Sequence, residues 1–254
     1  MQRIKAVVSY DGTDFSGWQV QPEKRTVQSE IEKALTKIHK GSHVEVTASG
    51  RTDASVHALG QVMHFDTPLC IPDEKWPKAI NSHLPEDVYV LAAERTTADF
   101  HARFDAIEKE YIYRVQTNSQ PDIFRRRYTL FYPYPLNIEN MKQAAEHLVG
   151  THDFTSFCAS GTDVKDMVRT VYKIDILEDR DELQFVLRGN GFLYNMVRIM
   201  VGTLLEVGRG KKAPHDISEL LAARDRGKAG KTVPGHGLFL AEVKYKNRVS
   251  SNYA

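Results

Sequence analysis

The stretch Ala48-Ser49-Gly50-Arg51-Thr52-Asp53-Ala54-Ser55-Val56-His57-Ala58-Leu59-Gly60 places a glycine, an arginine, a threonine and an aspartate in four consecutive positions. It separates two strand-like runs, Val44 to Thr47 and Gln61 to Thr67, which a simple hairpin turn would join. Gly50 allows a backbone geometry that residues with a Cβ resist, Arg51 supplies a rigid cationic fork, and Asp53 supplies a carboxylate that the fork can hold ionised. That is the usual presentation of a reactive carboxylate. Spacing alone favours a plainer reading, since an Arg and an Asp two apart are most often a solvated pair and a turn aspartate most often closes an Asx-turn.

The elements that must position this loop follow from periodicity. Ile4, Ala6, Val8 and Tyr10 alternate with polar residues as a strand with one buried face, ended by Asp11-Gly12. Beyond a loop holding Phe15 and Trp18, Thr26 is the expected N-cap of a helix whose apolar positions are Val27, Ile31, Ala34, Leu35 and Ile38. The loop's flanking strands come next, then a helix from near Asp73 carrying Trp76, Ile80 and Leu84, and a strand from Val88 to Glu94. Beyond the connector Phe100 to Ala106 the same order returns. A strand through Lys109, Tyr111, Tyr113 and Val115 leads, by a long insertion, to a helix from Ile138 to Val149 capped by Asn137. Strands Val168 to Leu177 and Leu183 to Arg188 flank a tight turn. A strongly apolar helix from about Leu193 to Val207, a short one from about His215 to Ala223 and a strand from Leu238 to Tyr245 complete the half. Each half has the split βαβ, ferredoxin-like order, so the expected class is α+β, with residues 1–105 and 106–254 as the two halves and the Asp53 loop as the insertion that breaks their symmetry.

In the apolar helix Asn195, Arg198, Gly202 and Glu206 form one narrow polar stripe. Nearly everything else there is apolar, so the helix should be mostly buried and Arg198 needs a partner. Alternating tyrosines such as Tyr111 and Tyr113 are ordinarily half-buried packing residues of a strand.

Composition bounds the rest. A chain of 254 residues with 41% hydrophobic content can bury a sizeable core. No apolar stretch approaches membrane-spanning length and the N-terminus runs directly into a strand, so the expectation is a cytoplasmic protein without membrane attachment. Cys70 and Cys158 are far apart and without metal spacing, and His57 and His64 lack the spacing of a helical zinc pair, so no metal is expected. The net charge of +1 hides basic runs at Lys24-Arg25, Arg125-Arg126-Arg127, Lys211-Lys212 and Arg224 to Lys231. Runs of this kind are usually solvated surface, and converging on one cleft they would track a phosphate backbone.

Gly50-Arg51-Thr52-Asp53-Ala54-Ser55-Val56-His57-Ala58 resembles the signature of the tRNA pseudouridine synthase A family, with Asp53 where that family has its catalytic aspartate and Ser55 where its pattern usually has glycine. Lys109-Glu110-Tyr111-Ile112-Tyr113-Arg114 is similar to the family's second motif, whose first tyrosine stacks on the target base. Gly189 to Gly202 is similar to the motif whose arginine pairs with the catalytic aspartate. Tyr10 to Gln19, Gly150 to Phe154 and Gly237 to Leu240 match more weakly. The resemblance implies two ferredoxin-like halves joined into one mixed, largely antiparallel sheet, with helices on one face and a cleft between the halves. It implies isomerisation of uridine to pseudouridine at positions 38, 39 and 40 of the tRNA anticodon stem-loop, by a homodimer with no cofactor. Asp53 is then the nucleophile, supported by Arg51, Tyr111 and Arg198, with Tyr111 and Arg51 also on the substrate and Tyr111 a candidate for the general base. A non-catalytic module that binds structured RNA is the alternative. An aspartate-dependent hydrolase lacks a metal site and a phosphate-cradling glycine loop.

Overall fold

The computed structural model describes residues 1–161 and 164–246. Its first half comprises strand β1 (Gln2–Tyr10), helix α1 (Val27–Ile38), strands β2 (Thr47–Ala48) and β3 (His57–Thr67), helix α2 (Trp76–Asn81) and strand β4 (Val88–Thr96). The second half holds β5 (Ala106–Gln116), β6 (Leu130–Phe131), α3 (Ile138–Glu146), β7 (Gly150–Asp153), β8 (Val168–Asp179), β9 (Glu182–Gly189), α4 (Met196–Gly208), α5 (Asp216–Ala223) and β10 (Leu238–Tyr245).

Local chemistry accounts for most boundaries. Thr26 and Ser29 form a reciprocal capping box that starts α1 where expected, and Asn137 caps α3 by accepting from the Asn140 amide. Trp76 and Ile80 of α2 are fully buried, and the Trp76 ring meets Phe65 of β3 edge-on at 5.3 Å. The strand expected from Val44 shrinks to β2. The Val46 amide and carbonyl are satisfied by the side chains of Glu32 and Gln28 on α1, leaving no ladder to extend. β3 instead begins at His57, because Ala58 still pairs with Tyr10 of β1. The apolar helix starts at Met196, not Leu193, since Asn195 takes a left-handed φ of 59°. Two short strands were not anticipated: β6 pairs with β5, and β7 extends the sheet beyond β8.

The sheet runs β4-β1-β3-β10-β5-β9-β8-β7, with β2 on β3 and β6 on β5. Each half therefore has the ferredoxin-like order, its fourth strand beside its first and its first beside its third. The halves join where β3 and β10 pair in parallel through Phe239↔His57 and Leu240↔Ala58, while the other main ladders are antiparallel. Register carries one face across this junction: Tyr10 opposes Ala58, Ala58 opposes Leu240, and Leu240 opposes Tyr111. That face is buried under the helices in one continuous core. The other face carries ion pairs such as Arg3–Asp66 and Lys5–Glu94. At the junction it is closed by His57, stacked on Phe239 at 4.6 Å and packed against Tyr128 of the insertion. The His57 Nδ1 accepts from the Gly12 amide, and Nε2 lies 3.0 Å from the Arg127 carbonyl and 3.2 Å from that of His236. Burial lowers its pKa against the opposing pull of the Asp11 carboxylate, 3.1 Å from Nδ1, and the two carbonyls at Nε2 tie the insertion to the junction. No helix among the described residues is long and apolar enough to cross a membrane.

Candidate active site

The Asp53 loop is held by side chains buried for that purpose. Ser49 donates its amide to the Val62 carbonyl at 2.7 Å and its hydroxyl to Gln61 at 2.6 Å, and Gln61 returns a bond to the Gly50 carbonyl. The Tyr10 hydroxyl lies 2.8 Å from Thr52 Oγ1, and the Trp18 amide donates to the Thr52 carbonyl. Phe15 and Trp18 are both buried, 3% and 2% exposed, so the opening segment seats the Asp53 loop and does not present these rings to a ligand. Gly50 is not in the left-handed region. Its missing Cβ makes room, since a methyl there would lie 2.8 Å from the Lys109 Nζ. The position that does need unusual backbone is Ser55, with a φ of 61°.

Asp53 and Arg198, far apart in sequence and on opposite halves, meet with Arg198 Nη1 donating to Asp53 Oδ2 at 3.1 Å. The guanidinium is itself anchored: Nη1 also donates to Asn195 Oδ1 at 2.6 Å, and Nε donates to the Val233 carbonyl at 2.7 Å. The left-handed turn at Asn195 brings its amide oxygen back onto Arg198. The polar stripe on α4 thus faces the 230–234 segment; a Cβ on Gly202 would sit 1.9 Å from the Lys231 carbonyl oxygen. Burial raises the Asp53 pKa and the Arg198 charge and hydrogen bond pull it back, with burial the larger effect. The net direction is upward, for a carboxylate that stays in its ion pair with Arg198 and whose side chain is 27% exposed.

Arg51 is not part of that pair. It is exposed and, among the described residues, makes no ion pair with Asp53, whose cationic partner is Arg198 alone. Nothing in the sequence around Arg51 separates a fork turned to solvent from one turned to its neighbour two positions on. Tyr111 is buried on the junction face, its ring edge-on to Phe192 at 5.3 Å. Burial first, then the Tyr10 hydroxyl and the Asp53 charge, push its own hydroxyl pKa far up, so Tyr111 is a neutral phenol and a poor proton acceptor. Tyr113 donates to the Pro234 carbonyl at 2.8 Å and is a packing residue. The residues missed by sequence reasoning are Phe192, Asn195 and Lys109. Each lies inside a motif already singled out, but only the fold shows what its side chain touches.

Each basic run gives at least one side chain to a local ion pair. Arg25 grips Asp87 bidentately and lies over the Phe15 ring at 4.1 Å, Arg125 binds Asp122 and Asp181, and Arg224 binds Asp153. Two surface hollows, one lined by His152, Asp153 and Arg224 and one by Asn137, Asn140 and Arg209, share no residue with this site. Among the described residues no three His, Cys, Asp or Glu side chains cluster as metal ligands.

The family model described as tRNA pseudouridine synthase matches residues 6–105 and 144–246. The tRNA pseudouridine synthase A of Bacillus velezensis is 58% identical over 246 residues, covering 96% of this chain and all of that protein. The tRNA pseudouridine synthase A 1 of Bacillus cereus is 56% identical over 247 residues, and the tRNA pseudouridine synthase A of Bacillus subtilis 55% identical over 246, each spanned over its whole length. With an aspartate and an arginine joined across two ferredoxin-like halves and matches of this extent, the chain belongs to the tRNA pseudouridine synthase family.

Proposed function

We propose that this protein isomerises uridine to pseudouridine in tRNA, at positions 38, 39 and 40 of the anticodon stem-loop. The observation that carries the proposal is the Asp53–Arg198 pair, with the Asp53 charge close enough to the buried Tyr111 to raise the pKa of its hydroxyl. In this reaction the bond from C1′ of the ribose to N1 of uracil breaks, the base turns, a bond from C1′ to C5 forms, the C5 proton leaves to solvent, and N1 takes up a proton in its place. Atoms and electrons balance without oxidant, water or cofactor. What the chemistry asks of the protein is one ionised oxygen beside the reacting carbons, a flat surface to hold the detached base, and shelter from water. Asp53 supplies the oxygen, Arg198 keeps it ionised and aimed against the cost of its burial, and Tyr111 offers its ring to the base. The target nucleotide must leave its stack to reach Asp53. Arg51, exposed on the same loop, is assigned to the RNA and not to Asp53. The protein acts in the cytoplasm as a homodimer in this reading, residues 1–105 and 106–254 each supplying half of the site.

The test is Asp53→Asn, assayed by release of tritium from tRNA carrying C5-labelled uridine. The variant keeps its fold and its affinity for tRNA and releases no label. Undiminished release would remove Asp53 from the chemistry, and a variant that binds RNA alongside a wild type that releases nothing would leave only the RNA-binding module. Solution scattering of the active protein at monomer mass would remove the dimer.

A further inference from the structure

We propose that Lys109 is a positioning residue for this reaction: its ammonium, set between the Ser49 carbonyl and the α-carbon of Gly50, fixes the root of the catalytic loop so that Asp53 meets Arg198. The inference rests on the assignment of Asp53 and Arg198 above.

Lys109 is two residues before Tyr111 on β5 and on the same face, and its backbone is clamped on both sides, opposite Val243 of β10 and Gly189 of β9. From this fixed base its Nζ donates to the Ser49 carbonyl at 2.7 Å. Gly50 lies directly over the same nitrogen, close enough that a Cβ there would come within 2.8 Å of it. Ser49 has already committed its amide to Val62 and its hydroxyl to Gln61, and Gln61 holds the Gly50 carbonyl. The lysine therefore completes a closed set of bonds at the point where the loop leaves the sheet, four residues before Asp53.

An ammonium in this place is expensive. No carboxylate among the described residues lies within ion-pair distance of it, and the neighbouring charges, Arg103 from the 97–105 connector and Arg169 from β8, both repel it. The flanking Glu108 and Glu110 are taken by Lys244 and Arg188. On β10 the titratable group beside Ser49 is Tyr245, held neutral by burial and donating to the Ala102 carbonyl. Across the loop stand Asp53, paired with Arg198, and Arg51, exposed. Burial, with these two arginines, pushes the Lys109 pKa down to about 8. A lysine serving only solubility would turn to water at no such cost; this one, part-buried, holds a carbonyl through a charge-assisted bond that weakens when its proton is lost. The catalytic loop is accordingly tight below that pH and loosened above it.

Three variants test this in the full-length protein: Lys109→Met removes the ammonium, Gly50→Ala displaces it from the Ser49 carbonyl while leaving it charged, and the third combines them. Single-turnover tritium release from labelled tRNA, KM, thermal unfolding and the rate against pH are the readouts. The wild-type rate falls as pH rises through about 8. Lys109→Met lowers the rate at neutral pH at least tenfold with KM within twofold and loses that alkaline fall. Gly50→Ala shows a similar loss and likewise lacks the alkaline fall, and the double variant is no slower than Lys109→Met. Independently of turnover, hydrogen exchange at the amides of residues 49–53 speeds up in Lys109→Met while the sheet amides do not change. A wild type without tritium release would defeat the activity assignment, and the exchange measurement would still decide the role of Lys109. Unchanged exchange, an alkaline fall that survives in Lys109→Met, additive losses in the double variant, or a loss of melting temperature without a loss of rate would each overturn the proposal.

Discussion

Replacing Arg198 by methionine keeps the length and apolar contacts of the side chain and removes its charge. Three interactions go with it: the bonds to Asp53 Oδ2, Asn195 Oδ1 and the Val233 carbonyl. The first carries the functional consequence. A hydrogen bond to a charged partner contributes about 1.5–3 kcal/mol, which at about 1.4 kcal/mol per factor of ten is a loss of roughly 10- to 150-fold in kcat/KM. The pH dependence is more diagnostic than the size. Arg198 opposes the upward push of burial on the Asp53 pKa, so its removal raises that pKa further and carries the acid limb of the rate profile to higher pH. The assay is single-turnover tritium release from C5-labelled tRNA across the acid range, with thermal unfolding of the same samples as the control for folding. Arg198→Lys retains charge without the fork and should fall between the two proteins. A full rate for Arg198→Met, or a reduced rate whose acid limb has not moved, would refute the reasoning that Arg198 keeps Asp53 ionised.

Other predictions concern stability. Ser55→Gly relieves a left-handed φ that costs about 1–2 kcal/mol in a residue with a Cβ, against about 0.5–1 kcal/mol of added chain entropy; calorimetry should show a gain of about 1–3 °C in melting temperature, and a fall would contradict the strain. Gly202→Ala drives a methyl into the Lys231 carbonyl and costs about 1–3 kcal/mol, with a loss of rate as Val233 is pushed off Arg198; a stable, fully active variant would show that the 230–234 segment yields freely. Because the folded-state pKa of Asp53 lies above its unfolded value, its contribution to stability is present in acid and lost as pH rises through the folded value. Asp53→Asn should therefore be at least as stable as the wild type at neutral pH, the advantage vanishing in acid. A variant markedly less stable at neutral pH would show that the ion pair outweighs burial.

Alternation and capping made most elements legible in the sequence: β1, α1, α3 and β10 follow directly from residues such as Ile4, Thr26, Asn137 and Leu238. The reach of β3 was not legible, because its first residues take partners from both halves, Tyr10 beside Ala58 and Phe239 beside His57. The Asp53 to Arg198 relation could be expected only through family motifs, since periodicity says that Arg198 needs a partner and not which one. Arg51 misleads because backbone direction in a loop, not sequence distance, decides where a fork points. Lys109 stayed hidden because a lysine in an alternating strand reads as solvent-facing, and only the fold brings the Ser49 carbonyl and Gly50 to its ammonium. Gly50 and Ser55 exchange the roles their identities suggest, the glycine yielding space and the serine bearing the strained torsion.

The parallel seam between β3 and β10 has a consequence for synthesis in the cell. The acid and the guanidinium are both translated well before the strand that sews the two sheets together, which begins only at Leu238. Until that last ribbon emerges and docks, a nascent chain holds Asp53 and Arg198 without the seam that makes one sheet of the two halves.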